Sequence, residues 1–232
     1  MTPHLPALPR RRWPPPVALL LLAVAAMGGT LRDGWVQDDA PLIAGNPSVQ
    51  SVSGLWSGFT EPYWPPPSPG GLYRPLARSA HSALWALGDG ALWPFRVADL
   101  LLYAGLVLAV WGLAREFLPA TPAWVAAALF AVHPVHVEAV AVAVNQGECV
   151  VGIAACVAAI AWRRWRFGRL RTAPALGGVA AALLVGLGFK ETALVLPLLL
   201  ALVELTDPAP AVPSRRRRWL ALAALAALGA GW

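Results

Sequence analysis

The feature that most constrains this chain is an alternation of long apolar runs with short clusters of arginine. The runs are Pro16–Leu31, Leu92–Leu113, Thr121–Val132, Val150–Trp162, Pro174–Phe189 and Thr192–Leu205, and a last one starts at Trp219 and is still running at Trp232. Apolar stretches of this kind read as candidate membrane helices, because hydrocarbon leaves the backbone no hydrogen-bond partner but itself. The pattern predicts an all-α, polytopic membrane helix bundle of about seven spans. A helix that stops in mid-membrane is not a natural terminus, so the chain is expected to be truncated at its C-terminal end.

Composition points the same way. Hydrophobic residues make up 58% of the chain and charged ones 13%, and mean hydropathy is +0.59. Soluble domains carry about 25% charge, so a soluble domain, a disordered chain and a disulfide scaffold are all excluded. Cys149 and Cys156 are seven positions apart, roughly 10 Å of helical rise, too far for a disulfide. The net charge of +6 and pI near 10.3 look like those of a nucleic-acid binder. The charge instead lies between apolar runs, and no nucleic-acid partner is expected. Arg10–Arg12, Arg115, Arg163–Arg171 and Arg215–Arg218 hold 13 of the 18 basic residues. The positive-inside bias makes these clusters cytoplasmic, and even numbers of crossings separate them.

The expected organisation is then a cytoplasmic N-terminus at 1–15, a first span at 16–31, an extracytoplasmic loop at 32–91 and a helix bundle at 92–232. The first span also reads as a cleavable signal peptide, with a basic flank and Ala23-Val24-Ala25; the next loop is outside either way. Trp13, Trp35, Trp93, Trp111, Trp162 and Trp219 fall near span ends, as an aromatic belt would. The loop is rich in turns (Pro65-Pro66-Pro67, Pro69, Gly70-Gly71). A helix is expected from Arg74-Pro75 to about Leu87, lying at the interface. The chain has no internal repeat and no nucleotide-binding glycine motif.

Polar residues near membrane depth are costly and usually functional. Four groups qualify, all on the predicted outer face. In Gln37-Asp38-Asp39-Ala40-Pro41, adjacent carboxylates repel, and one of them suits a general base; a solvated pair or a helix cap is the bland alternative. Tyr73-Arg74-Pro75-Leu76 puts a guanidinium at a helix start, suited either to fork onto a phosphate or to snorkel. In His133-Pro134-Val135-His136-Val137-Glu138, Pro134 starts a helix and His133 caps it. His136 and Glu138, about 200° apart, do not share a face. No third ligand has metal spacing, so no zinc or other metal is expected. Glu138 reads as a site carboxylate, or as a partner for Arg74 or Lys190. Phe189-Lys190-Glu191-Thr192 holds the only lysine. It reads as a capped turn, or as a cation for an anionic head group with Glu191 orienting it.

Taken in order, Asp38-Asp39-x-x-Leu42-Ile43-x-x-Asn46-Pro47, Tyr73-Arg74-Pro75-Leu76, His133-Pro134-Val135-His136-Val137-Glu138-Ala139-Val140 and Lys190-Glu191-Thr192 resemble the transmembrane-and-tetratricopeptide-repeat O-mannosyltransferase family. That family belongs to the C-type, multi-span glycosyltransferases. The resemblance covers about Trp35 to Leu205. It implies a polyprenyl-phosphate-sugar lipid donor, a hydroxyl acceptor on protein or glycan, and a non-cytoplasmic site in a cell membrane, expected to be a bacterial inner membrane. No cofactor is implied. The resemblance places the base at Asp38 or Asp39, with Asp38 favoured. Substrate contacts fall to Tyr73, Arg74, His133, His136, Glu138, Lys190 and Glu191. Asn145-Gln146-Gly147-Glu148 departs from the Gly-Arg expected there. The further spans and repeats of the family do not follow within these 232 residues, so this chain alone is expected to be inactive. Two other classes fit the composition: a catalytically inactive membrane anchor for a repeat protein, and a transporter subunit, which predicts charges along several spans.

Overall fold

The computed structural model describes residues 16–67, 71–207 and 211–232; Arg10–Arg12, Trp13, Pro69 and Gly70 lie outside them. Among the described residues the chain is helical and contains no strand. The elements are α1 (Pro16–Met27), α2 (Gly54–Ser57), α3 (Pro75–Gly88), α4 (Trp93–Ala114), α5 (Ala120–Val132), α6 (Val137–Ala141), α7 (Gln146–Arg166), α8 (Thr172–Phe189), α9 (Leu196–Thr206) and α10 (Arg215–Ala230). Each predicted apolar run folds as a helix. The expected helix after Arg74 is α3, with Pro75 in its first turn.

The expected count of about seven spans, some of them short, is not confirmed by helix length. Three helices are long and apolar enough to cross a membrane: Trp93–Ala114, Ala143–Arg166 and Thr172–Phe189. Ala120–Val132 and Pro134–Ala141 pass together as one span broken by a 52° bend. The bend has a cause. Pro134 cannot continue α5, and His133 takes an extended conformation before it. Helix α1 has 12 residues and α9 has 11, about 17–18 Å of rise against a hydrocarbon core of about 30 Å.

Two apolar clusters build the bundle. Trp162, Trp165, Leu183, Leu187, Leu196 and Leu222 join α7, α8 and the C-terminal helices. Leu19, Tyr103, Val107, Ala127 and Cys149 join α1, α4, α5 and α7. Association among membrane helices rests on close packing rather than on expulsion of water, and small residues sit where it is tightest. A Cβ on Gly152 would fall 2.8 Å from Leu106, and one on Gly186 would fall 2.8 Å from Ala193. Trp162 does not join an aromatic belt. It is fully buried, and its indole N–H donates to Glu204 at 2.9 Å.

The charges collect at the two ends of this bundle. At one end, Glu116 pairs with Arg164 and Arg169, Asp207 with Arg163 and Arg166, and Glu204 with Arg218. All four predicted motifs are at the other end. There a third cluster (Leu42, Ile43, Val49, Tyr63, Ala77, Phe95, Ala143) packs the long loop and α3 over the helix ends. Among the described residues, charges do not line the spans along their length, which is the arrangement a transporter subunit predicts.

Candidate functional site

The acidic motif lies between α1 and α2, where Gln37 takes a left-handed backbone (φ 47°) and the chain turns into a short π-helical segment, Ala40–Ala44. This geometry sends the two carboxylates opposite ways. Asp38 is exposed and Asp39 is completely buried. Asp39 Oδ1 accepts the Val144 N–H at 3.0 Å, and its Oδ2 accepts the Val36 N–H at 3.2 Å. Arg96 Nη2 stands 3.7 Å from that same Oδ2. Asp39 therefore ties its own loop to the segment before α7, and Asp38 is left exposed at the surface.

Arg74 is already engaged. Its Nε and Nη2 fork onto Glu191 at 2.8 and 2.7 Å, a bidentate, charge-assisted pair. Its guanidinium also lies 4.8 Å above the Tyr63 ring. The fork expected to receive a phosphate is thus filled from within the chain. Burial works against the charge on Arg74, but the Glu191 fork outweighs it and holds the guanidinium above its ordinary range. The same fork holds the Glu191 carboxyl below the usual range against the opposing effect of burial. Burial pushes the Tyr63 phenol up to about 12, with Arg74 opposing and the charges of Asp39 and Asp38 assisting. Tyr73 is exposed, and its hydroxyl donates to the Phe59 carbonyl at 3.2 Å.

Lys190 is not oriented by Glu191. It pairs with Glu148 at the start of α7. Gly147 allows this approach, because a Cβ there would meet the Phe189 carbonyl at 3.2 Å and Lys190 Cβ at 3.3 Å. Lys190, Glu148, Glu138, Asn145, Val135 and Ala139 line a polar cavity of about 330 Å³. Glu138 thus shares a cavity with Lys190 and not with Arg74. Ala139 and Glu148 also line a second cavity, of about 260 Å³, whose other walls are largely apolar: Tyr103, Leu106, Val110, Phe130, Gly152 and Cys156, with His136 at its polar end. His136 packs 4.2 Å from the Phe130 ring. His133 is the helix cap, its Nδ1 accepting the Val135 N–H at 3.2 Å. His136 and Glu138 therefore serve different cavities, as their angular separation implied. Among the described residues, no group of three or more His, Cys, Asp or Glu side chains is placed to hold a metal.

Several residues here escaped the sequence reading. Glu148 looked like a departure from a motif. Arg96 and Asp99 fell within a predicted span. Tyr63 sits in a Pro-rich loop with no period to mark it.

Comparison with curated proteins places this chain beside three relatives. It is 33% identical over 193 residues to the protein O-mannosyl-transferase Tmtc2 of Drosophila melanogaster, covering 79% of this chain and 21% of that protein. It is 29% identical over 192 residues to Tmtc1 of the same organism (81% and 22%). To TMTC3 of Mus musculus it is 28% identical over 137 residues (57% and 15%). The chain spans about a fifth of the length of these two Drosophila relatives. No family model matches it, and no solved structure does.

Proposed function

This chain is a membrane protein related to the Tmtc protein O-mannosyl-transferases over about four fifths of its length, and from that premise we propose that it forms the donor-binding and base-bearing part of a lipid-dependent mannosyltransferase. It moves mannose from a polyprenyl phosphate to a hydroxyl, such as that of a protein Ser or Thr, on the extracytoplasmic face. The observation that carries the donor class is a pair of neighbouring cavities. A polar chamber with one lysine shares Ala139 and Glu148 in its wall with an apolar groove between α4, α5 and α7. A phosphate with a long isoprenoid tail has that two-part chemistry, and a nucleotide sugar does not.

In this reading Asp38 accepts the proton of the acceptor hydroxyl as its oxygen attacks the anomeric carbon. The bond from that carbon to the phosphate oxygen breaks, and the lipid phosphate leaves with the electron pair. A phosphate is a good leaving group and needs a cation more than an acid; Lys190 supplies it. Arg74 and Glu191 hold the link after α8 in place, which fixes where Lys190 sits. Glu138 and Asn145 face the sugar hydroxyls. The side of the membrane follows from the arginine clusters at the opposite end, which the positive-inside bias assigns to the cytoplasm.

The test uses the intact protein in membranes, with labelled mannose offered either on a polyprenyl phosphate or as a nucleotide sugar. Transfer is expected from the first donor only. Lys190→Met should raise the KM for the lipid donor about tenfold, the effect of losing about 1.4 kcal/mol of phosphate binding. Transfer from the nucleotide sugar, or an unchanged KM in Lys190→Met, overturns the donor assignment.

A further inference from the structure

Beneath the acidic motif is a cluster with no counterpart in the sequence patterns. Arg96, in the first turn of α4, is 1% exposed. Its Nη1 donates to the Ala141 carbonyl at 2.6 Å and stands 3.4 Å from Asp99 Oδ2. Its Nη2 donates to the Gly34 carbonyl and stands 3.7 Å from Asp39 Oδ2. Asp39 and Asp99 are both buried, so one guanidinium serves two enclosed carboxylates. Gln146, at the start of α7, is likewise buried, with 2% exposed.

The partners come from three separate stretches: the loop that carries Asp38 (Gly34 and Asp39, on either side of it), the end of α6 (Ala141) and α4 itself (Asp99). Asp39 adds a bond to Val144, next to Asn145 in the wall of the Lys190 cavity. Arg96 is therefore the shared anchor of the segment bearing Asp38 and the segment lining the cavity. It also holds Gly34 and Asp39 on either side of Gln37, whose left-handed backbone costs roughly 1–2 kcal/mol for a residue with a Cβ and persists only where the surroundings fix it.

We propose that Arg96, with Asp99 as its counter-charge, is a positioning residue that sets Asp38 relative to the Lys190 cavity. It touches neither donor nor acceptor. This rests on the reading of Asp38 as base and Lys190 as the phosphate cation. Its expected kinetic signature is specific. Donor binding belongs to the cavity and groove, so KM for the donor stays near the wild-type value. The approach of base to acceptor over the bound donor is what loosens, so kcat falls. A misplacement of about 1 Å costs on the order of 100-fold.

The test is Arg96→Lys, which keeps the charge but replaces a two-armed fork with a point donor that cannot reach Gly34 and Ala141 together. Arg78→Lys is the control. Arg78 is likewise buried, but its partners are the Pro62 carbonyl, at 2.7 Å, and Glu61. In the intact protein, Arg96→Lys should lower kcat 10- to 100-fold with donor KM within twofold, and Arg78→Lys should leave kcat within about threefold. A nitroxide on Cys at position 38 reports independently of activity, and its spectrum should sharpen in the Arg96→Lys background and not in the Arg78→Lys background. Equal kcat losses in the two variants, a loss in KM alone, or an unchanged nitroxide spectrum overturns the proposal. Absence of any lipid-dependent transfer by the wild type instead sinks the functional reading, and the nitroxide comparison still decides the positioning role.

Discussion

His81 offers a sharp physical test of how the outer loop is held down. It lies on α3 with 1% of its surface exposed, between the rings of Tyr63 at 6.3 Å and Phe95 at 6.2 Å, and its Nε2 has no hydrogen-bond partner among the described residues. Burial pushes the imidazole down to about 4, and the nearby Arg74 charge adds to this. In the unfolded chain it titrates near 6.5. Between these values the unfolded state binds more protons, so acid favours unfolding. The contribution of His81 to stability is complete above pH ~6.5, declines as pH falls, and stops declining near pH ~4. At about 1.36 kcal/mol per unit, lowering the pH from 7 to 5 should cost about 2 kcal/mol. For a chain of this size that is about 4–8 °C in Tm. The assay is thermal unfolding of the protein in detergent, followed by tryptophan emission, at pH 7 and pH 5. His81→Phe keeps the ring volume and removes the proton site, so it should lose most of this difference. If wild type and His81→Phe lose the same Tm on acidification, the imidazole is not what couples α3 to pH.

Two further outcomes follow from packing and charge. A Cβ on Gly188 would fall 2.6 Å from Leu76 Cγ and Cδ1, so Gly188→Ala should destabilise by about 1–3 kcal/mol through overpacking; Leu76→Ala in the same chain should restore part of that loss, measurable as a coupling in a double-mutant cycle. In intact cells a membrane-impermeant thiol reagent should label Thr60→Cys and leave Arg216→Cys untouched until the membrane is permeabilised; the opposite pattern would invert the topology.

Much of the fold could be read from the sequence, because the signals are local. Apolar length gave the helices, Pro75 marked the start of α3, and the Pro134 motif gave the His133 cap. The span count is not confirmed where apolar length and helix length part: the run at Thr192–Leu205 is apolar, yet a 3₁₀ turn, Glu191–Val195, consumes its start. The candidate site was legible as a set of residues and not as a set of pairs. Arg74 and Glu191 are 117 positions apart, and Lys190 and Glu148 are 42 apart, so no spacing rule links them. Glu191 was assigned to Lys190 because it is adjacent. In the fold, adjacent residues at an extended link point apart, and each finds a partner on another helix. The same holds for Asp38 and Asp39, where sequence shows an equivalent pair and the backbone at Gln37 separates an exposed acid from a buried one.

The central claim is that Asp38 is the base, and the most direct measurement is mannose transfer from a polyprenyl-phosphate donor by Asp38→Asn and Asp39→Asn in the intact, membrane-inserted protein. Asparagine keeps size and hydrogen bonding and removes basicity. General-base catalysis contributes ~10²–10⁴-fold, so Asp38→Asn should lose about 3–5 kcal/mol of transition-state stabilisation with normal insertion. Asp39→Asn retains an oxygen for the Val144 N–H and should lose less rate per folded molecule and more folded protein. Near-wild-type transfer by Asp38→Asn would contradict the account.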